Sequence, residues 1–238
     1  MSSQGSEKQE TTAKVTPIKA MRGHTDWVGG IVHLPGGRRI ITCSSDGSLR
    51  LWDLESGTRI GKGWRDDEAK KAGVYAIALS PNGKTVVSGS DDGKVKLWDI
   101  ETRKVIQRWT GHTDDVRSVC WSAGGKRVVS GSLDGTARVW NAKTGEEILE
   151  IKTGHEYVYT VKYSPDDTQI ATGGFVSKDH AAKIWDAKTG ELFLSREASD
   201  HCWPRPCSTS STACRRLSQR MVHDAASTGK PVQRQPSA

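Results

Sequence analysis

Short apolar runs separated by turn-forming clusters recur along this chain, and they have the length of β-strands rather than the ten or more residues of a helix. Ile40-Ile41-Thr42, Val86-Val87-Ser88, Val128-Val129-Ser130 and Ile170-Ala171-Thr172 each end in a hydroxyl. A further apolar run precedes them, as in Val74 to Ser80 and Val116 to Ser122, with turns such as Pro81-Asn82-Gly83 between. An acid follows each hydroxyl run: Asp46, Asp92, Asp134 and Asp179, the first three with Gly next. Asp-Gly between alternating runs signals a hairpin, because glycine takes the positive φ of a tight turn without strain. Six residues beyond each acid stand Trp52, Trp98, Trp140 and Trp185, spaced by 46, 42 and 45 residues and each followed by Asp or Asn. Turns such as Glu55-Ser56-Gly57 and Lys143-Thr144-Gly145 then lead to a fourth run, for example Lys104 to Trp109 or Glu146 to Ile151. The pattern predicts four copies of a four-stranded antiparallel meander and an all-β fold.

The inner runs are apolar on both faces, which a lone sheet of about 40 residues cannot bury, so neighbouring units must stack. Radial stacking makes a β-propeller. At these residues the chain resembles the WD40-repeat family. Gly23-His24, Gly111-His112 and Gly154-His155 open repeats, and Trp52-Asp53, Trp98-Asp99 and Trp185-Asp186 close them. The resemblance covers roughly Val15 to Ser195. Four repeats are expected at about 23–53, 70–99, 111–141 and 154–186 within 15–195, flanked by a disordered segment at 1–14 and a low-complexity basic tail at 196–238. Departures from the pattern are Ala69-Lys70 in place of Gly-His, Asn141 after Trp140, and three extra residues before Asp179, which His180 follows.

Counting strands changes the picture of closure. Val15 to Met21 precedes the first repeat and Glu191 to Ser195 follows the fourth, giving five outer strands for four inner sets. The resemblance implies that an N-terminal outer strand completes a last blade, so its surplus predicts an incomplete, open propeller. A fifth Gly-His is due near 198–201, where Asp200-His201 stands, but no apolar strands follow. The expectation is an open arc inviting self-association through its exposed edges, and a truncated or alternatively spliced fragment of a longer repeat protein is an alternative reading.

Composition excludes several classes. No apolar run approaches the roughly 18 residues of a membrane span, and 1–19 lacks a secretory signal. Cysteines 43, 120, 202, 207 and 214 are odd in number and irregularly spaced, which fits a reducing compartment, cytoplasmic or nuclear. Of the net charge of +7, residues 195–238 hold seven Lys or Arg against three acids. The rest of the chain is too evenly mixed for a nucleic-acid footprint. Nine Trp against two Phe and four Tyr means that something other than general hydrophobicity places the tryptophans.

Recurring His, Asp and hydroxyl residues invite a hydrolase-triad reading. Catalytic sites are not built once per repeat, whereas a structural hydrogen-bonding device would be. The resemblance implies buried networks of His24, Asp46, Thr42 and Trp52; His112, Asp134, Ser130 and Trp140; and His155, Asp179, Thr172 and Trp185. Repeat two retains Ser88, Asp92 and Trp98 but lacks the His and is expected to be the loosest. Asn82-Gly83-Lys84-Thr85 resembles the end of a phosphate loop but lacks its first glycine and a following helix, so it reads as a hairpin turn. Cys202, Cys207 and Cys214, with His201 and His223, lack a close Cys pair for zinc. No enzyme, cofactor or metal site is therefore expected.

The resemblance also implies that partners meet residues flanking the first valine of each inner strand and the residue before each turn Asp. These are Trp27, Gly29 and Ser45; Gly73, Tyr75 and Asp91; Asp115, Arg117 and Leu133; and Tyr157, Tyr159 and Lys178. Packing under a loop is the alternative reading for Tyr157. Trp, Tyr and Arg dominate interface hot spots. The expected function is a non-catalytic scaffold binding a protein or peptide on one propeller face, the alternative being nucleic-acid association through Arg215, Arg216 and Arg220 of the tail.

Overall fold

A computed structural model describes residues 19–68, 72–177 and 181–197. Blade 1 comprises β1 (Val28–His33), β2 (Arg39–Ser44), β3 (Ser48–Asp53) and β4 (Trp64–Arg65). Blade 2 comprises β5 (Val74–Leu79), β6 (Thr85–Ser90), β7 (Val95–Asp99) and β8 (Val105–Trp109). Blade 3 comprises β9 (Val116–Trp121), β10 (Arg127–Ser132), β11 (Thr136–Asn141) and β12 (Glu147–Lys152). Blade 4 comprises β13 (Tyr157–Tyr163), β14 (Gln169–Phe175), β15 (Ala181–Asp186) and β16 (Leu192–Glu197). Each is a sequential antiparallel meander, and no helix occurs among the described residues. In every blade the tryptophan of the third strand pairs with the first apolar residue of the second: Trp52 with Ile40, Trp98 with Val86, Trp140 with Val128, and Trp185 with Ile170.

The hydrophobic core lies between the blades, in three clusters of one design. Between blades 1 and 2, Ile41, Leu49 and Leu51 meet Val74, Ile77, Val86 and Trp98. Between blades 2 and 3, Val87, Val95 and Leu97 meet Val116, Val119, Val128 and Trp140. Between blades 3 and 4, Val129, Ala137 and Val139 meet Val158, Val161, Ile170 and Trp185. A sheet apolar on both faces is thereby buried only when it has a neighbour on each side, which is why four copies stack in series.

The inner strands β1, β5, β9 and β13 pack on one another in that order, and among the described residues no comparable packing joins β13 back to β1. The arc is open. The faces of its two terminal blades carry apolar residues that are exposed, Val28 and Ile31 among them. The surplus outer strand expected at Val15 to Met21 falls largely outside the described residues, and residues 19–21 carry no strand. Blade 1 has its own outer strand, but an interrupted one. After an isolated pairing of Trp52 with Arg59, the chain leaves the sheet and rejoins it only at Trp64–Arg65.

Candidate functional site

Three of the four blades hold their His, hydroxyl and Trp in one arrangement. In blade 1, His24 Nδ1 lies 2.9 Å from Asp46, Nε2 lies 2.7 Å from Thr42 Oγ1, and Trp52 Nε1 donates to the same hydroxyl at 2.8 Å. Burial lowers the His24 pKa from its ordinary value against the pull of Asp46, so the ring is neutral. A neutral ring that donates from Nδ1 to the carboxylate must accept at Nε2, and the Thr42 hydroxyl donates there. Asp46 also accepts from the backbone N–H of Thr25 and Ser48. Burial alone would raise its pKa, but the bonds from Ser48 and His24 outweigh burial and hold it at about 2.

Blade 3 repeats the geometry, with His112 at 2.8 Å from Asp134 and 2.7 Å from Ser130, and Trp140 donating to Ser130 at 2.8 Å. In blade 4, Trp185 donates to Thr172 at 2.8 Å and His155 Nε2 lies 3.3 Å from that hydroxyl. Asp179 lies outside the described residues. The side chains of His24, Asp46, His112 and Asp134 are nearly fully buried.

Blade 2 departs from the expectation of a missing group. Trp98 still donates to Ser88 at 2.8 Å, but the buried Lys96 ammonium sits 3.2 Å from Asp92 and 3.3 Å from Asp66. Asp66 in turn accepts a two-pronged contact from Arg108. The turn Asp of blade 2 is therefore partnered by an ammonium, in a cluster of alternating charges. Sequence reasoning missed it, although a signal was present: a basic residue, Arg50, Lys96, Arg138 or Lys183, stands two positions before every repeat tryptophan. Arg50 reaches Asp46, Arg138 reaches Glu147 and Glu150, and Lys183 donates to the Thr153 carbonyl.

The partner-contact candidates gather where the inner strands begin. Each inner strand carries a β-bulge directly after its first valine, and the residues left out of register are Gly29, Tyr75, Arg117 and Tyr159. A bulge re-aims its extra side chain away from the sheet. The residue before the strand and the residue before the turn Asp are joined through the backbone: Ser45 N–H donates to Trp27 O, Asp91 N–H to Gly73 O, and Leu133 N–H to Asp115 O. Lys178 lies outside the described residues.

Arg117 of blade 3 crosses to blade 2, its guanidinium 4.0 Å above the Tyr75 ring, while Nη2 donates to Asp115 at 2.8 Å. Trp27 is 81% exposed. Tyr157 is 40% exposed, stacked on Phe175 and tilted against Tyr159. Burial pushes the Asp115 carboxyl up, countered by Arg117 and reinforced by Asp114 and Asp91. Burial likewise raises the Tyr75 hydroxyl, with Asp115, Asp91 and Asp26 adding to it. The two glycines serve differently from the side chains around them. A Cβ on Gly29 would meet the Tyr75 carbonyl oxygen at 2.3 Å, and one on Gly73 would meet Asp91 Oδ2 at 2.9 Å. They let neighbouring chain come close and offer no side chain to a partner.

A family model described as the WD domain, G-beta repeat, matches residues 15–53, 66–99, 103–141 and 146–186. The chain belongs to the WD40 family. Curated relatives match within this WD40 chain over shorter stretches. A nuclear distribution protein PAC1 of Yarrowia lipolytica is 46% identical over 43 residues, 18% of this chain and 10% of the relative. A nuclear distribution protein nudF of Aspergillus niger is 42% identical over 45 residues, 19% of this chain and 10% of the relative. The nudF 2 protein of Aspergillus clavatus is 41% identical over 54 residues, 23% and 12% respectively. Each match spans about a tenth of the relative's length, roughly one repeat. Among the described residues no helix is long and apolar enough to cross a membrane, and no group of three or more His, Cys, Asp or Glu is placed to hold a metal.

Proposed function

We propose that this chain is a non-catalytic scaffold that binds a protein or peptide segment on the face where Trp27, Tyr75, Arg117, Tyr157 and Tyr159 gather. The observation that carries the reading is the Tyr75–Arg117–Asp115 assembly, built across two blades, together with an exposed Trp27. Aromatic rings and a guanidinium held by packing offer large contact area at small entropic cost, the property of interface hot spots. Asp26, Asp91, Asp114 and Asp115 outnumber Arg117 there, so the face suits a segment that presents a basic side chain.

The test is selection of a random peptide library on the full chain, with Trp27→Ala and Arg117→Ala as parallel baits. Peptides enriched on the native chain should bind each variant with about a fivefold or greater loss, because hot-spot truncation costs 1 kcal/mol or more. The Trp27→Ala melting curve should stay within about 0.5 kcal/mol of native, since the ring contributes little to the core. Enrichment that neither substitution touches overturns the reading.

A further inference from the structure

The two ends of the arc are the unmatched halves of the junction that joins blades inside it. At each internal junction the later blade contributes an inner-strand valine and a second branched residue three positions on: Val74 and Ile77, Val116 and Val119, Val158 and Val161, all buried. The residues of blade 1 at these positions are Val28 and Ile31, which are 50% and 39% exposed. The outer part of that face, Ile40 and Trp52, is buried. It is the part beside the axis that is open.

Blade 4 shows the converse. The earlier blade of a junction contributes two third-strand residues, buried in every case: Leu49 and Leu51, Val95 and Leu97, Ala137 and Val139. Their counterparts in blade 4 are Ala182, which is exposed, and Ile184, only partly covered. The second-strand glycine shows the same loss. A Cβ on Gly89 or Gly131 would strike the valines of the next blade at 2.6 Å, whereas among the described residues one on Gly173 meets only Thr160 of its own blade.

We propose that blade 1 of one copy packs on blade 4 of a second copy, reproducing between chains the junction that already occurs three times within one. A second copy is the occupant these faces fit, because each chain carries both halves: branched side chains on one terminal face, small residues and Ile184 on the other. Contacts of this kind are heterologous, and two copies close into a ring when both junctions form. The relation is face to face, with the strand edges left out of it.

Sedimentation velocity of the full chain, from about 1 µM to about 200 µM, tests the proposal in the range where modest interfaces dissociate. A shift towards twice the 26.0 kDa of the chain is expected as concentration rises. Ile31→Glu and Ala182→Glu, both at exposed positions, should each weaken self-association tenfold or more while leaving the circular dichroism spectrum and thermal melt unchanged. Mixing the two variants should regain association through the one junction that remains intact. A monomer at every concentration, a dimer that neither substitution weakens, or a mixture that stays monomeric overturns it.

Discussion

Removing the Asp134 carboxylate is the sharpest perturbation of the blade networks, because its consequences can be counted. The carboxylate accepts from His112 Nδ1 at 2.8 Å, from the Thr113 N–H at 3.1 Å, and from the Thr136 N–H and hydroxyl at 2.9 and 2.7 Å. In Asp134→Ala, water can reach Thr113, which is exposed, and the Thr136 hydroxyl can turn to another acceptor. The His112 Nδ1–H cannot be rehydrated, since that side chain is 0% exposed, and it keeps only the Thr136 hydroxyl at 3.2 Å as an acceptor. A lost bond to a charged acceptor costs about 1.5 to 3 kcal/mol and the longer bond to Thr136 recovers part of it, so a net loss of about 2 kcal/mol is expected. Asp92→Ala in blade 2 should cost only about 1 kcal/mol, because the Lys96 ammonium keeps Asp66 at 3.3 Å. Asp66→Ala should cost more, about 2 kcal/mol, as it removes the buried carboxylate shared by Lys96 and Arg108 and leaves them only Asp92 at 3.2 Å and Glu68 at 3.4 Å. Urea denaturation of the three variants followed by circular dichroism checks the order. Equal losses for Asp134 and Asp92, or a near-neutral Asp66→Ala, would refute the assignment of Lys96, shared with Asp66, as the partner of the turn Asp in blade 2.

Gly135→Ala should destabilise by about 1 to 3 kcal/mol in the same assay, since its φ is +80° and a Cβ would meet the His155 carbonyl at 2.6 Å. Stability should fall in two steps on acidification. The His24 pKa is lowered by folding, so its contribution is complete above about 6.5 and declines as pH drops below that value. Asp46, at about 2 when folded, adds a second loss as pH falls below its ordinary range near 4 towards 2. Urea midpoints measured from pH 8 to pH 3 should show the first step shrinking in His24→Gln, and a rise in stability from pH 7 to pH 5 would contradict the sign. Burial pushes the Cys43 thiol up to about 12, so site-resolved labelling at pH 8 should find it protected until the chain unfolds, and rapid native labelling would refute that.

Local sequence was sufficient wherever a strong short-range preference coincided with a periodic pattern. Asp-Gly at Asp46, Asp92 and Asp134 specifies hairpins through the positive φ that glycine tolerates, and the apolar runs specify strands through their length and alternation. The spacing of Trp52, Trp98, Trp140 and Trp185 was enough to count the blades, because each unit repeats one solution to burying its indole N–H. What the residues around the axis do was not legible, because it depends on chain segments about 40 residues apart. Arg117 and Tyr75 meet only because β9 packs beside β5, and the bulges that re-aim them arise in pairing β9 with β10 and β5 with β6.

Lys96 illustrates the same limit. A lysine in a strand reads as solvated, since desolvating an ammonium is costly, and the arrival of Asp66 from the connection between blades adds a second carboxylate to Asp92 to offset it. Gly93 and Gly135 appear in the sequence as turn formers, yet each also lies under the histidine carbonyl of the following blade or its equivalent, where a Cβ would meet that oxygen at 2.6 Å. The sequence determined the strands, the turns and the number of blades, all governed by interactions a few residues long. Tertiary structure decided which charges are paired, which glycines are irreplaceable, and that the faces of the first and last blades remain open, because burial is set by what packs against a residue and not by the residue itself.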